Sequence, residues 1–206
     1  MKAEIISIHK DNPQIRLIKH IAGKIISGAI IVFPTNSGFS LGSALDNKPG
    51  VERIRSIRRL SKNHDFTLML NSLSQIGEFA KLENDAFRLI KRIHTDQFTF
   101  ILEATRIVPN RLVHPKKKTI GVRIPDKQLI RDLIAEIGEP IMSASLIIDG
   151  HEFSSTQDVI DKLKAKVDVI IDSGYCLPTP TTVIDFTKNP YEVAREGSGD
   201  TSAIFG

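Results

Sequence analysis

The chain is poor in the residues that crosslink small proteins or anchor them in membranes. Its 206 residues include one cysteine, no tryptophan and two tyrosines. One cysteine, Cys176, excludes an internal disulfide and a cysteine cluster for zinc, so we expect a reducing, cytoplasmic setting. No apolar run reaches the roughly 18 residues of a membrane-spanning helix, which predicts no membrane partner. Cys176 fits either a small buried filler or a reactive thiol.

Several motifs with well-defined chemistry are also missing from the sequence. There is no Walker phosphate loop, no Gly-x-Ser-x-Gly elbow and no dinucleotide fingerprint. The six histidines show no metal-ligand spacing, and the pair His151-Glu152 lacks the second histidine of a zinc-protease helix. We therefore predict no metal site built from protein ligands, and the sequence identifies no catalytic residue on its own.

The composition is that of a folded protein with a slight excess of positive charge. Hydrophobic residues make up 41% and charged residues 25% of the chain, and the formal net charge is +4. A chain of this length and composition predicts one globular domain over residues 1–206 with a sizeable core. The basic balance permits a phosphate-bearing partner without requiring one.

Strand and helix patterns intermix along the chain with neither strict alternation nor segregation. Apolar runs rich in β-branched residues predict strands over residues 4–8, 29–33, 67–70, 98–104, 119–124, 141–148, 167–172, 181–186 and 192–194. Helical spacing predicts a first helix that follows a cap at Asn12 and Pro13 and continues up to Gly28. The same spacing predicts further helices over 51–60, 73–80, 85–94, 127–137 and 156–164. This order predicts an α/β (α+β) fold with a mixed sheet and helices packed on it.

A polar segment follows the second predicted strand. Residues 33–42 read Phe-Pro-Thr-Asn-Ser-Gly-Phe-Ser-Leu-Gly, which indicates a strand ending near Pro34 and a loop of small polar residues beginning at Thr35. Small side chains beside glycines let a ligand approach the backbone, and strand ends often carry sites. The same pattern also fits an ordinary surface turn.

Arginines and hydroxyl residues stand at the ends of other predicted elements. Arg55 and Arg58 or Arg59 share a helix face, which suits phosphate binding or a solvated surface. Ser143 and Ser145 alternate on a strand and point to one side, toward a site or toward buried partners. Arg123 at a strand end fits a ligand contact or a structural ion pair.

In order, these stretches resemble the YrdC family of threonylcarbamoyl-adenylate synthases, and its YciO branch in particular. Residues 33–42 are similar to the family segment Tyr-Pro-Thr-(Asp/Glu)-Thr-x-Tyr-Gly-Leu-Gly. The chain also carries similar versions of the family's Val-Arg-Ile-Pro, Ser-Ala-Asn, Ser-Thr-Val-(Val/Ile)-Asp and Arg-Glu-Gly segments, at 122–125, 143–145, 181–185 and 195–197. The resemblance covers nearly the whole chain.

The resemblance implies a single YrdC-like domain, a twisted open mixed sheet with a basic concave face. It implies binding of ATP with Mg²⁺, threonine and bicarbonate. The reaction it implies is adenylyl transfer, in which a carbamate formed from threonine and bicarbonate attacks the α-phosphate of ATP and releases pyrophosphate. The product would serve the threonylcarbamoylation of an adenosine in tRNA.

The resemblance also assigns roles to individual residues. Thr35 and Arg123 would line the threonine or nucleotide pocket, and Arg58 would stand for the family's lysine. The remaining residues implied at the substrate and nucleotide site are Ser143, Ser145, Thr181 and Arg195. Two positions depart from the family pattern, because Leu60 replaces an arginine and Ser145 replaces an asparagine. These departures imply a retained pocket with a weakened or altered synthase reaction.

A non-catalytic function is the competing hypothesis. A double-stranded RNA or ribosome-binding factor would use the basic face for phosphate backbones, as the positive net charge allows. Its contacts would include Arg55, Arg59 and the run Lys116, Lys117 and Lys118, which otherwise reads as an exposed turn. A relative of the family with a vestigial pocket is a third interpretation.

Overall fold

The structure, a computed structural model, describes residues 2–61, 63–93 and 95–205. The strands are β1 (Glu4–Ser7), β2 (Ile31–Thr35), β3 (Gly38–Ser43), β4 (Thr67–Met69), β5 (Phe98–Glu103), β6 (Thr119–Arg123), β7 (Ile141–Ser145), β8 (Ile147–Ile148), β9 (His151–Glu152), β10 (Val169–Asp172), β11 (Thr182–Asp185) and β12 (Glu192–Arg195). The helices are α1 (Ile15–Ile26), α2 (Lys48–Arg58), α3 (Ile76–Phe79), α4 (Asn84–Arg92), α5 (Gln128–Ile137), α6 (Thr156–Leu163) and α7 (Ser202–Phe205).

Ten of these strands form one twisted sheet in the order β1-β10-β2-β3-β7-β4-β6-β5-β11-β12. The sheet contains parallel pairs, such as β1 with β10 and β4 with β6, and antiparallel pairs, such as β2 with β3 and β5 with β6. The predicted mixed sheet is therefore confirmed. Within the described ranges, no helix has the length and apolar content needed to cross a membrane.

Two hydrophobic layers cover opposite faces of the sheet. On β2, Ile31 and Phe33 pack with α1 and α5, whereas Val32 packs with the layer that contains residues of α2, α3, α4 and α6. Successive strand residues point to opposite faces, so this division follows directly from the run of apolar residues. The α1 and α5 layer involves β1, β10, β2 and the neighbouring ends of β4 and β7. Beyond these helices the same face carries polar side chains together with Ile101 and Val183.

Helix α1 begins later than the sequence predicts. The expected cap at Asn12 and Pro13 is wrong, because the backbone N–H of Asn12 donates to Nδ1 of His9 at 3.1 Å in a turn before the helix. Gln14 occupies the cap position without a side-chain hydrogen bond. The apolar spacing itself is confirmed, since Ile18, Ile21 and Ile25 are buried.

The polar segment after β2 is a β-hairpin rather than a loop. Thr35 pairs with Gly38, and Asn36 and Ser37 form the two-residue turn. Strand β3 was missed because Gly38, Ser40 and Gly42 fill one of its faces and resemble the small residues of a turn, which leaves only Phe39 and Leu41 as apolar strand residues. A Cβ on Gly42 would lie 2.7 Å from the Phe33 ring, which explains the glycine.

Three other predicted elements need correction. The strand predicted over 141–148 divides into β7 and β8, and β8 pairs with β9 across Asp149-Gly150, whose φ angles of 51° and 81° suit a tight hairpin turn. The helix over 73–80 is only α3, preceded by a 3₁₀ turn at Leu73–Gln75. The helix over 85–94 is α4, and its predicted end at residue 94 lies outside the described residues.

Candidate anion-binding site

A cavity of about 170 Å³ lies on the sheet face shared with α1 and α5, beyond those helices. Its floor comes from alternate residues of neighbouring strands, such as Ser143 of β7, Thr67 of β4 and Gly121 of β6, which stand in register. The lining includes six of the seven residues predicted at the substrate site: Arg58, Arg123, Ser143, Ser145, Thr181 and Arg195. The sheet therefore brings together residues from five distant parts of the sequence.

Arg123, the last residue of β6, is the most buried cation of the cavity. Only 4% of it is exposed, and its guanidinium donates to the backbone oxygen of Asp96 at 3.0 Å, to the Asp96 carboxylate at 3.3 Å and to the Ser37 hydroxyl. Burial lowers the pKa of Arg123, and the Asp96 carboxylate opposes that shift. Its Nε is buried with no hydrogen-bond partner in the described structure. The charge is thus fixed in place and retains one free donor.

The hairpin turn between β2 and β3 contacts Arg123 through the hydroxyl of Ser37. Thr35 is 1% exposed, and its hydroxyl donates to the Gly38 carbonyl at 2.7 Å and accepts from the Ser37 N–H at 3.0 Å. The Asn36 amide donates to the second oxygen of the Asp96 carboxylate. Thr35 therefore does not line the cavity; it shapes the turn that positions Ser37 and, through Ser37, Arg123.

Arg58 is the last residue of α2, and its side chain lines the same cavity. Its guanidinium donates to the carbonyl oxygen of Ile147, which ties the helix to β8. Burial lowers the pKa of Arg58, and its Nε is buried with no hydrogen-bond partner among the described residues. Leu60, in the position of the family's arginine, packs against the hydrophobic core and is not part of the cavity lining.

Arg195 ends β12 and completes the group of three guanidiniums. It donates to the Thr181 carbonyl at 2.7 Å and 3.2 Å and to the Thr181 hydroxyl at 3.1 Å, and that hydroxyl is 2.9 Å from the Thr99 hydroxyl. Burial lowers the pKa of Arg195, and Glu152 opposes the shift. A Cβ on Gly197 would lie 2.3 Å from the Thr181 carbonyl carbon, so the Arg-Glu-Gly segment needs its glycine to pass close to Thr181.

Ser143 and Ser145 both face the cavity, as strand alternation predicts. Ser143 is 2% exposed and its hydroxyl donates to the Thr67 carbonyl at 3.1 Å, so it has a structural partner as well as a place in the lining. Ser145 is exposed and pairs in register with Ser40 of β3, which also lines the cavity. The sequence left open whether these serines face a site or bond to buried partners, and Ser143 does both.

The residues predicted to contact RNA lie outside this cavity lining. Arg55 donates to the carbonyl oxygens of Ser61 and Arg111 and stacks over Phe66 at 4.6 Å, so its guanidinium is occupied within the fold. Arg59 forms an ion pair with Asp149 at 2.7 Å on the surface. Lys116, Lys117 and Lys118 are exposed in the turn before β6.

Cys176 lies beside the same hairpin. It is 3% exposed, its thiol donates to the Thr35 carbonyl at 3.0 Å, and burial raises its pKa. This environment favours the thiol over the nucleophilic thiolate and fits a packing role.

Sequence reasoning missed two residues of the site. Asp96 is 5% exposed and bonds Arg123 across 27 residues of sequence. His64 lines the cavity beside Arg58 and Asp65. Neither has a local signal, since a lone acid after a helix and a lone histidine in a polar segment look like surface residues. Only the sheet order, which places β6 next to both β4 and β5, brings His64 to the cavity and Asp96 to Arg123.

The fold and the cavity together define a mixed α/β protein with a site of three guanidinium groups and several hydroxyls, suited to an anionic ligand. The family model Sua5_yciO_yrdC, described as telomere recombination, matches residues 24–197. The chain belongs to this Sua5/YciO/YrdC family, which confirms the resemblance seen in the sequence.

Individual relatives match over nearly the full chain. YciO of Escherichia coli strain K12 is 43% identical over 96% of this chain and 97% of its own length, and its crystal structure superimposes with a TM-score of 0.94 over 98% of each chain. A putative threonylcarbamoyl-AMP synthase of Methanocaldococcus jannaschii is 28% identical over 96% of this chain and 94% of its own. The crystal structure of Pyrococcus abyssi Sua5 complexed with L-threonine is 27% identical, with a TM-score of 0.87 over 95% of this chain and 58% of that one.

Proposed function

We propose that the cavity binds ATP and that the protein transfers the adenylyl group of ATP to the carbamate of threonine. The observation that carries this proposal is the convergence of Arg58, Arg123 and Arg195 on one cavity lined with hydroxyls. Guanidinium groups match phosphate oxygens in charge and geometry. A solved relative holding L-threonine supports the amino-acid substrate.

The reaction proposed is a two-step condensation. The threonine amine combines with bicarbonate to give a carbamate and water, and a carbamate oxygen then attacks the α-phosphorus of ATP while the bond to the β-phosphate breaks and pyrophosphate leaves. Negative charge accumulates on the phosphate oxygens, where fixed cations act most strongly in a site shielded from water. Mg²⁺ would enter on the phosphates of ATP and neutralise part of this charge. The product would serve threonylcarbamoylation of an adenosine in tRNA, in a cytoplasmic setting.

The decisive experiment measures conversion of ATP to AMP and pyrophosphate with and without L-threonine and bicarbonate. We expect AMP formation that depends on both co-substrates. Calorimetric titration of MgATP into the protein gives a second reading, independent of turnover. Lack of heat on titration, together with no AMP, would refute the proposal.

Double-stranded RNA binding is a second candidate function, favoured by the exposure of Lys116, Lys117, Lys118 and Arg59. Contacts of this kind release counterions, so RNA affinity should fall steeply as salt rises. Filter binding of a short RNA duplex at increasing salt, with the three lysines replaced by Ala as the comparison, tests it. Equal affinity at low and high salt would argue against it.

A further inference from the structure

His64 is a neutral nitrogen base on the wall of a cavity otherwise rich in cations. It lies in the segment between α2 and β4 and lines the cavity beside Arg58 and Asp65. Its ring is half-buried and meets the ring of Phe66 edge-on, with centroids 5.5 Å apart and an angle of 86°. Neither ring nitrogen has a hydrogen-bond partner among the residues that the structure describes, so the imidazole is available to a ligand.

The other described groups of the lining are poor proton acceptors. Arg58, Arg123 and Arg195 are permanently protonated, and the serine and threonine hydroxyls are very weak bases. Asp65 is the only other ionisable acceptor of this described lining, and one of its oxygens accepts from the Thr119 hydroxyl at 3.0 Å. An imidazole with unoccupied nitrogens is therefore the best-suited base of this wall.

Burial and the surrounding charges favour the neutral form of His64. Burial lowers its pKa below the ordinary value, Arg58 and Arg55 of α2 lower it further, and Asp65 opposes them. Arg123 and Arg195, which end β6 and β12, add positive charge to the lining of the same cavity. A neutral imidazole has a free lone pair, which is the state a general base needs.

We propose that His64 is the general base that takes a proton from the ammonium group of the amino-acid substrate, an inference that rests on the proposed function. Near neutral pH the substrate nitrogen is –NH₃⁺ and has no lone pair to attack carbon. A ring nitrogen of His64 accepts one proton and becomes imidazolium. The resulting amine forms the N–C bond with bicarbonate, water leaves, and the imidazolium returns its proton to solvent.

The test is the pH dependence of kcat/KM for threonine, measured as AMP release from about pH 6 to about pH 9.5, in the wild type and in His64→Gln. At about pH 7 the variant should lose roughly 10²-fold, within the range for general-base catalysis. Its deficit should shrink as the pH rises toward and past the pKa of the substrate amine, because free amine then forms without a base. The wild type should rise only through the histidine pKa and then level off.

Two further variants separate catalysis from packing. His64→Phe keeps an aromatic ring against Phe66 and should show the same recovery at high pH, whereas His151→Gln, an exposed histidine of β9, should behave as the wild type. A loss in both His64 variants that is equal at every pH would overturn the inference while leaving the proposed function intact. A wild type that makes no AMP would refute the proposed function, and the role of His64 with it.

Discussion

At the scale of single residues, Arg58 offers the cleanest test of the cavity as an anion site. Arg58→Ala removes a guanidinium whose Nε has no partner in the described structure. A charge-assisted hydrogen bond contributes about 1.5–3 kcal/mol, so MgATP affinity measured by calorimetry should fall roughly tenfold to a hundredfold. Arg16→Ala, an exposed arginine of α1, is the matched control and should bind as the wild type. Equal affinity for MgATP in both variants would show that Arg58 does not contribute to the anion site.

Asp96 should matter more for stability than any surface acid. Asp96→Asn keeps the side chain's shape but removes the carboxylate charge that lies 3.3 Å from the buried Arg123 in the native protein. Breaking a buried ion pair from one side costs about 3–5 kcal/mol, and we expect a loss in that range on urea unfolding. Asp161→Asn, an exposed acid of α6, should change the free energy of unfolding by less than about 0.5 kcal/mol. If Asp96→Asn also changed the free energy of unfolding by less than about 0.5 kcal/mol, the ion pair would not stabilise the fold.

The buried thiol of Cys176 makes the free energy of unfolding depend on pH in the alkaline range. Its folded pKa is raised by burial, so the native state holds the thiol proton more tightly than the unfolded chain does. The stability from this residue is fully present below the unfolded pKa of about 8.5 and declines as pH rises above it, by at most about 1.4 kcal/mol per pH unit. Cys176→Ala should flatten the fall in the free energy of unfolding between about pH 8.5 and pH 10. Parallel curves for the two proteins would contradict this.

At the scale of elements, the end of β12 depends on a glycine that the fold cannot replace. Gly197→Ala places a methyl group 2.3 Å from the Thr181 carbonyl carbon and should push apart the segment that holds Arg195. Overpacking of this kind costs about 1–3 kcal/mol. Gly77→Ala in α3, where a Cβ meets nothing within 4 Å, should be neutral or stabilising by up to about 1 kcal/mol. Thermal unfolding of both variants measures the difference, and equal midpoints would show that the Gly197 contact relaxes freely.

Elements with a strong apolar period were predictable, and two hairpins were not. Helix α5 matches its predicted range within one residue, because Leu129, Ile130, Leu133 and Ile134 mark its buried face and Gly138 ends it with a φ of 83°. Strand β3 was missed because glycine and serine fill one of its faces and resemble the residues of a turn. The hairpin of β8 and β9 carried a readable Asp-Gly turn, but strands of two residues are too short for periodicity.

At the scale of the whole molecule, the site depends on a strand order that no local pattern contains. Arg123 and Ser143 stood out because each interrupts an apolar strand with a polar group. Their convergence follows from β4, which pairs with β6 on one side and β7 on the other. Asp96 and His64 stayed hidden for the same reason, since their importance comes from neighbours far away in sequence.

Ligand binding should stabilise the entire fold, because the cavity is lined by strands from both halves of the sheet. If ATP binds only the native state, MgATP at about a hundred times its Kd adds about 2.7 kcal/mol to the free energy of unfolding. The midpoint of thermal unfolding should rise with MgATP concentration in the wild type and less in Arg58→Ala. A midpoint that does not respond to MgATP would contradict binding.

The buried ion pair of Arg123 and Asp96 has a consequence for how the protein can evolve. A buried ion pair replaced by well-packed apolar residues of similar volume often leaves a protein as stable or more stable. Replacing Arg123 and Asp96 together therefore need not cost stability, whereas replacing either one alone breaks the buried pair from one side. Random mutagenesis that changes one residue at a time should therefore keep both residues even when selection acts on heat resistance alone, so the cation is retained because each half of the pair is costly to lose by itself.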